Sequence, residues 1–401
     1  MTSRPPSPPP SSDAAKAEAC AAVDADRAAL LELSGRIHAN PELRFAEQRA
    51  AGWLADFLAA RGFDVERGAY GLPTAFAGRL GSGRPRVALL CEYDALPGIG
   101  HACGHNIIAA AGAGAGVAVA RVLAATGGSV VVLGTPAEEG GGGKVLMARQ
   151  GAFNEVDAAM MVHPAGLDLI GMQCLSISAI EVEYRGKSAH ASAAPHLGIN
   201  ALDGLVTAYS AIAQLRQHIR HTERVHGIIT DGGHAPNIVP ERAAGVFYVR
   251  AANDRRLAQL KQRVEACFHA GAQASGAEVH LRPQGEDYSD LWTNAPLAAV
   301  YEANLARLGR TLTATPEAVP GSTDMGNVSK LVPSIHPMIA AAPPRVALHT
   351  QEFAQYAIGE GGQRAVLDGA KALAMSAIDV LTTPALVEAM HAAFAADAAR
   401  G

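Results

Sequence analysis

Short apolar runs that end in polar residues constrain the fold of this 401-residue chain more than any other feature. Each run is too short for a helix and is bounded by turn residues, so it predicts a strand buried on both faces of a sheet. A helical pattern lies between the first two runs, as crossover connections between parallel strands require. The predicted strands are 87–91, 130–133, 158–162 and 346–348. We therefore expect an α/β fold in which a mostly parallel, mixed sheet is flanked by helices.

The middle of the chain has a different rhythm, in which strand and helix patterns follow the order β-α-β-β-α-β. This order is typical of a ferredoxin-like α+β unit. The strands are predicted at 178–184, 225–230, 244–250 and 278–282, and the helices at 200–218 and 254–273. Because the first pattern occurs on both sides, we predict a domain inserted at 178–288 between two parts of a larger domain, 16–177 and 289–401.

The amino-terminal residues 1–15 are rich in Pro and Ser and lack apolar periodicity, so they predict a disordered tail. Helices are predicted after it, at 28–37 and 46–60. The apolar stretch 107–134 is interrupted by Arg121 and by a glycine pair, which argues against a membrane span.

Charge and cysteine content exclude several classes of protein. The chain has 33 Lys and Arg against 38 Asp and Glu, a net charge of −5, so no broad basic surface is available for nucleic acid. Its five cysteines are odd in number and irregularly spaced, which argues against a disulfide framework. A reducing compartment, by default the cytoplasm, is the predicted location.

Groups that bind metals or move protons follow the first two predicted strands. Cys103 and His105 are two residues apart, with Gly104 between them and Gly98 and Gly100 shortly before, so a thiolate and an imidazole can point into one pocket. Glu138 and Glu139 precede four glycines, and adjacent carboxylates at the mouth of a core require a cation or a proton between them. The alternatives, a buried apolar cysteine and a solvated acidic loop, stay open at this point.

Each of the other two predicted strands is followed directly by a histidine. His163 follows five apolar residues and His349 follows three. A buried histidine needs partners for its nitrogens, and many such residues are simply satisfied within the core. Together with Cys103, His105 and Glu139 they are too many ligands for a single tetrahedral ion, whereas two ions that share a ligand would use all five.

Several of these segments together resemble the aminoacylase and carboxypeptidase G family of metallopeptidases. The resemblance is carried by 101–105, by 94–97 and by the Glu138–Glu139 pair, and it is closest to the amidohydrolase branch, which includes hippurate and indoleacetyl-amino-acid hydrolases. The segments 186–191 and 236–240 match the inserted lid domain of that family. The similarity extends from about Leu31 to Ala372, most of the chain. It implies a di-metal aminopeptidase-like fold with a ferredoxin-like lid.

The resemblance also implies an activity and a cofactor. Relatives of this kind cleave the amide bond of small N-acyl amino acids or dipeptides by means of two divalent ions, zinc or manganese. Glu138 would be the general base that accepts a proton from water, and Cys103 would bridge the ions. The implied metal ligands are Cys103, His105, Glu139, His163 and His349.

Four further roles follow from the resemblance. Asp94 would orient a ligand imidazole. His190 would reach across a homodimer interface, formed by the lid, and stabilise the oxyanion in the partner's site. Asn237 and Arg250 would hold the carboxylate of the substrate, a contact for which a guanidinium is well suited.

Two departures from the branch leave the substrate open. Asn106 replaces the usual Asp after Cys-Gly-His, and 321–326 replaces a late acidic pair. The second variant, with 91–94, resembles the sub-branch of aminobenzoyl-glutamate hydrolase subunits and β-alanyl-lysine-type dipeptidases. Two other hypotheses remain: a metal-binding scaffold without turnover, and a thiol enzyme in which Cys103 is the nucleophile and His105 its base.

Overall fold

The computed structural model describes residues 12–313 and 321–400, which form two compact units. The first unit contains residues 12–173 and the described part of 291–400, and the second is Cys174–Asp290. Residues 1–11 of the predicted tail lie outside the described residues. The tail prediction is wrong for residues 12–15, because a helix begins at Ser12 and buries Ala15 against the core.

Helices and strands are numbered along the chain, and β7–β10, α6 and α7 belong to the second unit. The helices are α1 (Ser12–Ala25), α2 (Arg27–Ala39), α3 (Gln48–Ala59), α4 (His105–Thr126), α5 (Gly143–Arg149), α6 (Ala201–Leu215), α7 (Asp254–Ser275), α8 (Ala295–Ala306), α9 (Met325–Ser329), α10 (Gln351–Tyr356), α11 (Glu360–Thr382) and α12 (Pro384–Arg400). The strands are β1 (Asp64–Arg67), β2 (Phe76–Gly81), β3 (Arg86–Glu92), β4 (Ser129–Thr135), β5 (Ala158–Met160), β6 (His163–Ala165), β7 (Ser176–Arg185), β8 (Arg224–Asp231), β9 (Arg242–Ala251), β10 (Glu278–Pro283), β11 (Ser334–Ile335) and β12 (Met338–Ala340).

The first unit is built on a six-stranded sheet with the order β1-β2-β4-β3-β5-β11. Strands β4, β3, β5 and β11 are parallel, and β1 and β2 add an antiparallel edge. A second, two-stranded parallel pair is formed by β6 and β12. The predicted mostly parallel, mixed sheet flanked by helices is confirmed, and its parallel strands direct their carboxyl ends to the same edge.

Two of the four predicted strands differ from the prediction. The run 158–162 is divided, because β5 ends at Met160 and β6 begins at His163 in the other sheet. The run 346–348 is not a strand but part of a loop. Two prolines, Pro343 and Pro344, precede it, and residues without a backbone N–H cannot contribute to a sheet at that point.

Helix α4 is the central helix of the first unit. It packs between the sheet and α11, and its residues are buried along most of its length. Its 22 residues are apolar enough to span a membrane by composition, but 83% of the most apolar window is buried inside the protein. Core packing therefore accounts for its apolar character.

The second unit is a four-stranded antiparallel sheet with the order β10-β7-β9-β8, covered by α6 and α7. All six predicted elements of the segment are present, in the predicted order. Strand β8 lies at the edge of this sheet, and its side chain Ile228 is 65% exposed. An exposed, apolar edge strand offers unpaired backbone groups to another strand.

Candidate active site

The start of α4 lies against the start of β6, which brings Cys103 to His163. Gly104 has a φ of 74°, and a Cβ at that residue would lie 2.6 Å from Pro164 Cγ. Because only glycine combines this backbone conformation with so close an approach, it lets the two segments meet. The result is a distance of 3.4 Å between Cys103 Sγ and His163 Nε2.

Two hydrogen bonds fix the orientation of the buried imidazoles. His105 Nδ1 lies 3.1 Å from Asp94 Oδ1, and His163 Nδ1 lies 2.7 Å from the carbonyl oxygen of Pro164. With the proton on Nδ1 in each ring, the lone pair on Nε2 faces the centre of the cluster. The other oxygen of Asp94 accepts from the backbone N–H of Glu139 at 2.9 Å, so this carboxylate joins two of the predicted ligands.

Glu139 and His349 complete the cluster. Glu139 Oε1 lies 3.4 Å from His349 Nε2 and 3.8 Å from His105 Nε2. His349 follows no strand; it lies in a loop at φ 62° and donates its backbone N–H to Ala102. The prediction that all five groups follow strand ends of one sheet is therefore wrong, although the five side chains do meet.

The cluster has the chemistry of a cation site. Cys103 belongs to two groups of potential ligands whose donor atoms lie within 4.8 Å of one another: one with His105 and His163, and one with Glu139 and His349. Among the described residues, His105 Nε2 and Glu139 Oε1 are buried without a hydrogen-bond partner, although they face each other. Two facing lone pairs repel unless a proton or a cation lies between them. Thiolate, imidazole and carboxylate are suitable ligands for zinc and for other divalent transition metals.

Glu138 lies beside the cluster, and its carboxylate is within 4.8 Å both of donor atoms of His105 and Glu139 and of carboxylate oxygens of Glu92 and Asp324. Its Oε2 is 3.9 Å from His105 Nε2, and its side chain is nearly buried. Burial, followed by the charges of Glu92 and Glu139, raises the pKa of Glu138 well above its ordinary value. A carboxylate whose pKa is raised holds a proton more readily than an exposed one, which general acid–base catalysis requires.

Sequence reasoning missed a buried ion-pair network behind Glu138. Lys144 Nζ contacts Glu92 Oε1 and lies 2.7 Å from Asp324 Oδ1, and all three side chains are fully buried. Glu92 and Asp324 occur in segments that already carry the family resemblance. Lys144 is a single lysine at the start of a helix, and no sequence pattern distinguishes it. We name this set, Glu92, Lys144 and Asp324, the buried triad.

His336 was also missed. Its ring centre lies 5.6 Å from that of His163, and within the described part of the chain neither ring nitrogen has a hydrogen-bond partner. Burial, and then the neighbouring His163, lowers the pKa of His336 well below its ordinary value. It follows the short strand β11, a position that the apolar pattern of the sequence does not mark.

The structure bears on two questions that the sequence left open. Asn106 does not face the cluster: its amide donates to Ser34 Oγ at 2.9 Å and to the carbonyl oxygen of Ala357 at 3.2 Å. The thiol-nucleophile hypothesis is disfavoured, since burial and the charge of Glu139 raise the pKa of the Cys103 thiol well above its ordinary value. An activated nucleophilic cysteine has a lowered pKa.

The three remaining predicted residues belong to the second unit. His190 and Asn237 are exposed and lie on paired segments, since the backbone N–H of Ala191 donates to the carbonyl oxygen of Asn237. These segments continue the pairing of β7 and β9 beyond one end of the sheet. Arg250 pairs with Ile177 at the opposite end of the same two strands. One subunit therefore does not bring Arg250 to Asn237, and their expected joint contact with a single carboxylate is not present within one chain.

Comparison with known proteins identifies the family of the chain. A family model described as the peptidase dimerisation domain of M20 peptidases matches residues 176–274, in the second unit. The "Xaa-Arg dipeptidase" of Mus musculus is 38% identical, over 94% of this chain and 92% of its own length. One of the subunits of the p-aminobenzoyl-glutamate hydrolase of Escherichia coli is 35% identical over 65% of this chain and 59% of its own length.

A solved structure supports the fold. The YXEP protein of Bacillus subtilis, described as a dinuclear metal-binding peptidase of the M20 family, superposes with a TM-score of 0.69 at 19% identity. The match covers 90% of this chain and 99% of that one. The extent of the similarity to the mouse enzyme decides the family. The chain belongs to the M20 peptidase family, in the amidohydrolase branch that its motifs predicted, and is a metal-dependent hydrolase of amide bonds.

Proposed function

We propose that the enzyme is a dipeptidase that binds two divalent ions, zinc or manganese, through a shared Cys103. The observation that supports this most strongly is the membership of Cys103 in two ligand groups beside Glu138. His105 and His163 would hold one ion, and Glu139 and His349 the other. When bound, such ions polarise an amide carbonyl and lower the pKa of a water molecule to about 7.

The residues around the ions would have three further roles: proton transfer, orientation of a ligand and stabilisation of negative charge. Glu138 takes a proton from water at its carboxylate and returns it to the amine nitrogen that leaves the substrate. Asp94 keeps the Nδ1 proton of His105 in place, so that Nε2 remains available as a ligand. His190 stabilises the negative charge that develops on the substrate oxygen.

We propose that the substrate has a basic carboxyl-terminal residue. Support comes from the mouse relative named as an Xaa-Arg dipeptidase, which is similar over 94% of the chain. The aminobenzoyl-glutamate hydrolase relative is similar over 65%, and the substrate in its name ends in an acidic residue. The two candidates therefore differ in the charge of the residue that the site must accept.

Hydrolysis of matched substrates separates these candidates. We expect kcat/KM for Xaa-Arg dipeptides to exceed that for the corresponding Xaa-citrulline dipeptides by about 10- to 100-fold, because citrulline keeps the shape but removes a charge-assisted contact. p-Aminobenzoyl-glutamate and hippurate complete the panel, measured with Zn²⁺ and with Mn²⁺. A preference for p-aminobenzoyl-glutamate would contradict the proposed specificity, and inactivity on every amide would contradict the proposed enzyme.

We further propose a cytoplasmic homodimer in which the second unit supplies residues to the partner's site. Arg250 and Asn237 lie at opposite ends of one sheet, so both can contact one substrate only if they come from different subunits. Asn237 shares its end of the sheet with His190, which makes these two residues the pair donated to the partner. The exposed apolar edge of β8 supports an interface on this unit.

Hybrid dimers test the donation of His190. Two inactive variants, His190→Ala and Glu138→Gln, are co-expressed with different tags, and the hybrid is isolated with both tags in sequence. We expect the hybrid to recover about half of wild-type kcat, because one of its two sites then contains both residues. The two homodimeric variants serve as the inactive controls for the hybrid. A hybrid as inactive as its parents would show that His190 acts within its own subunit.

A further inference from the structure

The buried triad joins three separate parts of the first unit. Lys144 Nζ contacts Glu92 at the end of β3 and Asp324 directly before α9, and the backbone N–H of Lys144 also donates to Asp324, at 2.9 Å. Lys144 itself stands at the start of α5, just after the glycine run that follows Glu139. The network therefore fixes the carboxyl-terminal end of the segment that carries the proposed catalytic carboxylate.

Close packing reinforces this connection at the glycine run. A Cβ at Gly143 would lie 1.8 Å from the carbonyl oxygen of Pro136, so the chain returns almost into contact with the start of the segment. The loop between Pro136 and Lys144 is thus closed by a backbone contact and by the ion pairs of Lys144. A loop held at both ends places its side chains within a narrow range of positions.

The triad also lies directly beside Glu138. Carboxylate oxygens of Glu92, Glu138 and Asp324 are within 4.8 Å of one another, and all three side chains are buried or nearly so. Three carboxylates at this distance repel each other strongly in a low-dielectric interior. The ammonium of Lys144 contacts two of them and so offsets the repulsion that would displace the third.

Stability alone does not account for such an arrangement. A buried ion pair contributes little more to folding than apolar residues of the same volume, because desolvation offsets most of the attraction. We propose that Lys144 is a positioning residue: through Glu92 and Asp324 it holds Glu138 in the position from which that carboxylate moves protons. This inference rests on the proposed role of Glu138 as the general base.

A neutral version of the network tests the inference. Lys144→Met alone would leave two buried carboxylates without a partner, so the informative variant combines Lys144→Met with Glu92→Gln and Asp324→Asn. We expect its kcat to fall about 10- to 100-fold, the effect of a misplaced catalytic group, with KM and metal content unchanged. Adding Glu138→Gln to this variant should lower kcat by less than the same change does in the wild type, because both changes remove one function.

A second buried lysine provides a matched control. Lys16 Nζ lies 2.6 Å from Asp379 Oδ1 between α1 and α11, and the variant Lys16→Met with Asp379→Asn should leave kcat unchanged. A wild-type kcat in the triple variant would overturn the proposal, and so would a fall in kcat that accompanies loss of metal. The proposal would also be overturned if Glu138→Gln lowered kcat by the same factor in the triple variant as in the wild type. If Glu138→Gln is active in the wild-type background, the proposed base fails instead, which is a distinguishable result.

Discussion

Replacement of Glu138 by Gln is expected to lower kcat by about 10²- to 10⁴-fold, the range that a general acid or base contributes. The amide keeps the size of the side chain but cannot accept the proton. Because Glu138 is placed outside both proposed ligand groups that share Cys103, metal content measured by elemental analysis should remain that of the wild type. Steady-state kinetics on an Xaa-Arg dipeptide gives kcat directly.

The matched control is another buried glutamate far along the chain. Glu223 lies in the second unit and accepts a hydrogen bond from the backbone N–H of Arg220 at 2.9 Å. Glu223→Gln removes the same charge without touching the cluster, so its kcat should be that of the wild type. Near-normal turnover in Glu138→Gln would show that another group is the base.

Replacement of Cys103 by Ala is expected to have the second large effect, since both proposed ions lose a ligand at once. Loss of an outer partner of a metal ligand already costs about 10- to 100-fold in affinity, and loss of a shared ligand should cost at least as much for each ion. We therefore expect the metal-to-protein ratio after dialysis to fall, and kcat to fall with it. Titration with Zn²⁺ or Mn²⁺ measures the affinity that remains.

Cys267→Ala is the control for this experiment, because Cys267 is a partly exposed free cysteine on α7 in the second unit. It should keep metal content and turnover. The thiol-enzyme hypothesis makes the opposite prediction for the wild type: activity would survive a chelator and be lost with a thiol reagent. Full metal content in Cys103→Ala would contradict the proposed bridge.

Periodicity predicted the fold where each element buries one continuous face. The inserted unit illustrates this, because its alternating strands and amphipathic helices cover a single core, so spacing alone revealed all six elements. The run 346–348 failed for the converse reason. Three apolar residues after two prolines look like a buried strand, but only the partner strands decide whether a backbone is paired. The start of α1 at Ser12 was hidden by the polar composition around it.

The site could be predicted to the extent that its residues share a sequence context. Cys103 and Glu139 lie next to glycines and turns in the sequence, and the resemblance supplied the role that is proposed for both. Lys144 and His336 could not be found in this way, because the role of an isolated buried polar residue depends on its contacts with residues that are distant in the sequence. His349 was selected for the wrong reason, since it reaches Glu139 from a loop and not from a strand end.

The inserted unit separates the proposed metal ligands along the chain, and so in the order in which the ribosome adds them. Cys103, His105, Glu139 and His163 are all synthesised before it, and His349 long after it. A nascent chain therefore lacks His349 until translation is nearly finished. Metal affinity depends on a complete and folded set of ligands. The proposed ion held by Cys103, Glu139 and His349 is then expected to bind late in the biogenesis of this enzyme, because a chain truncated before His349 lacks one of its ligands.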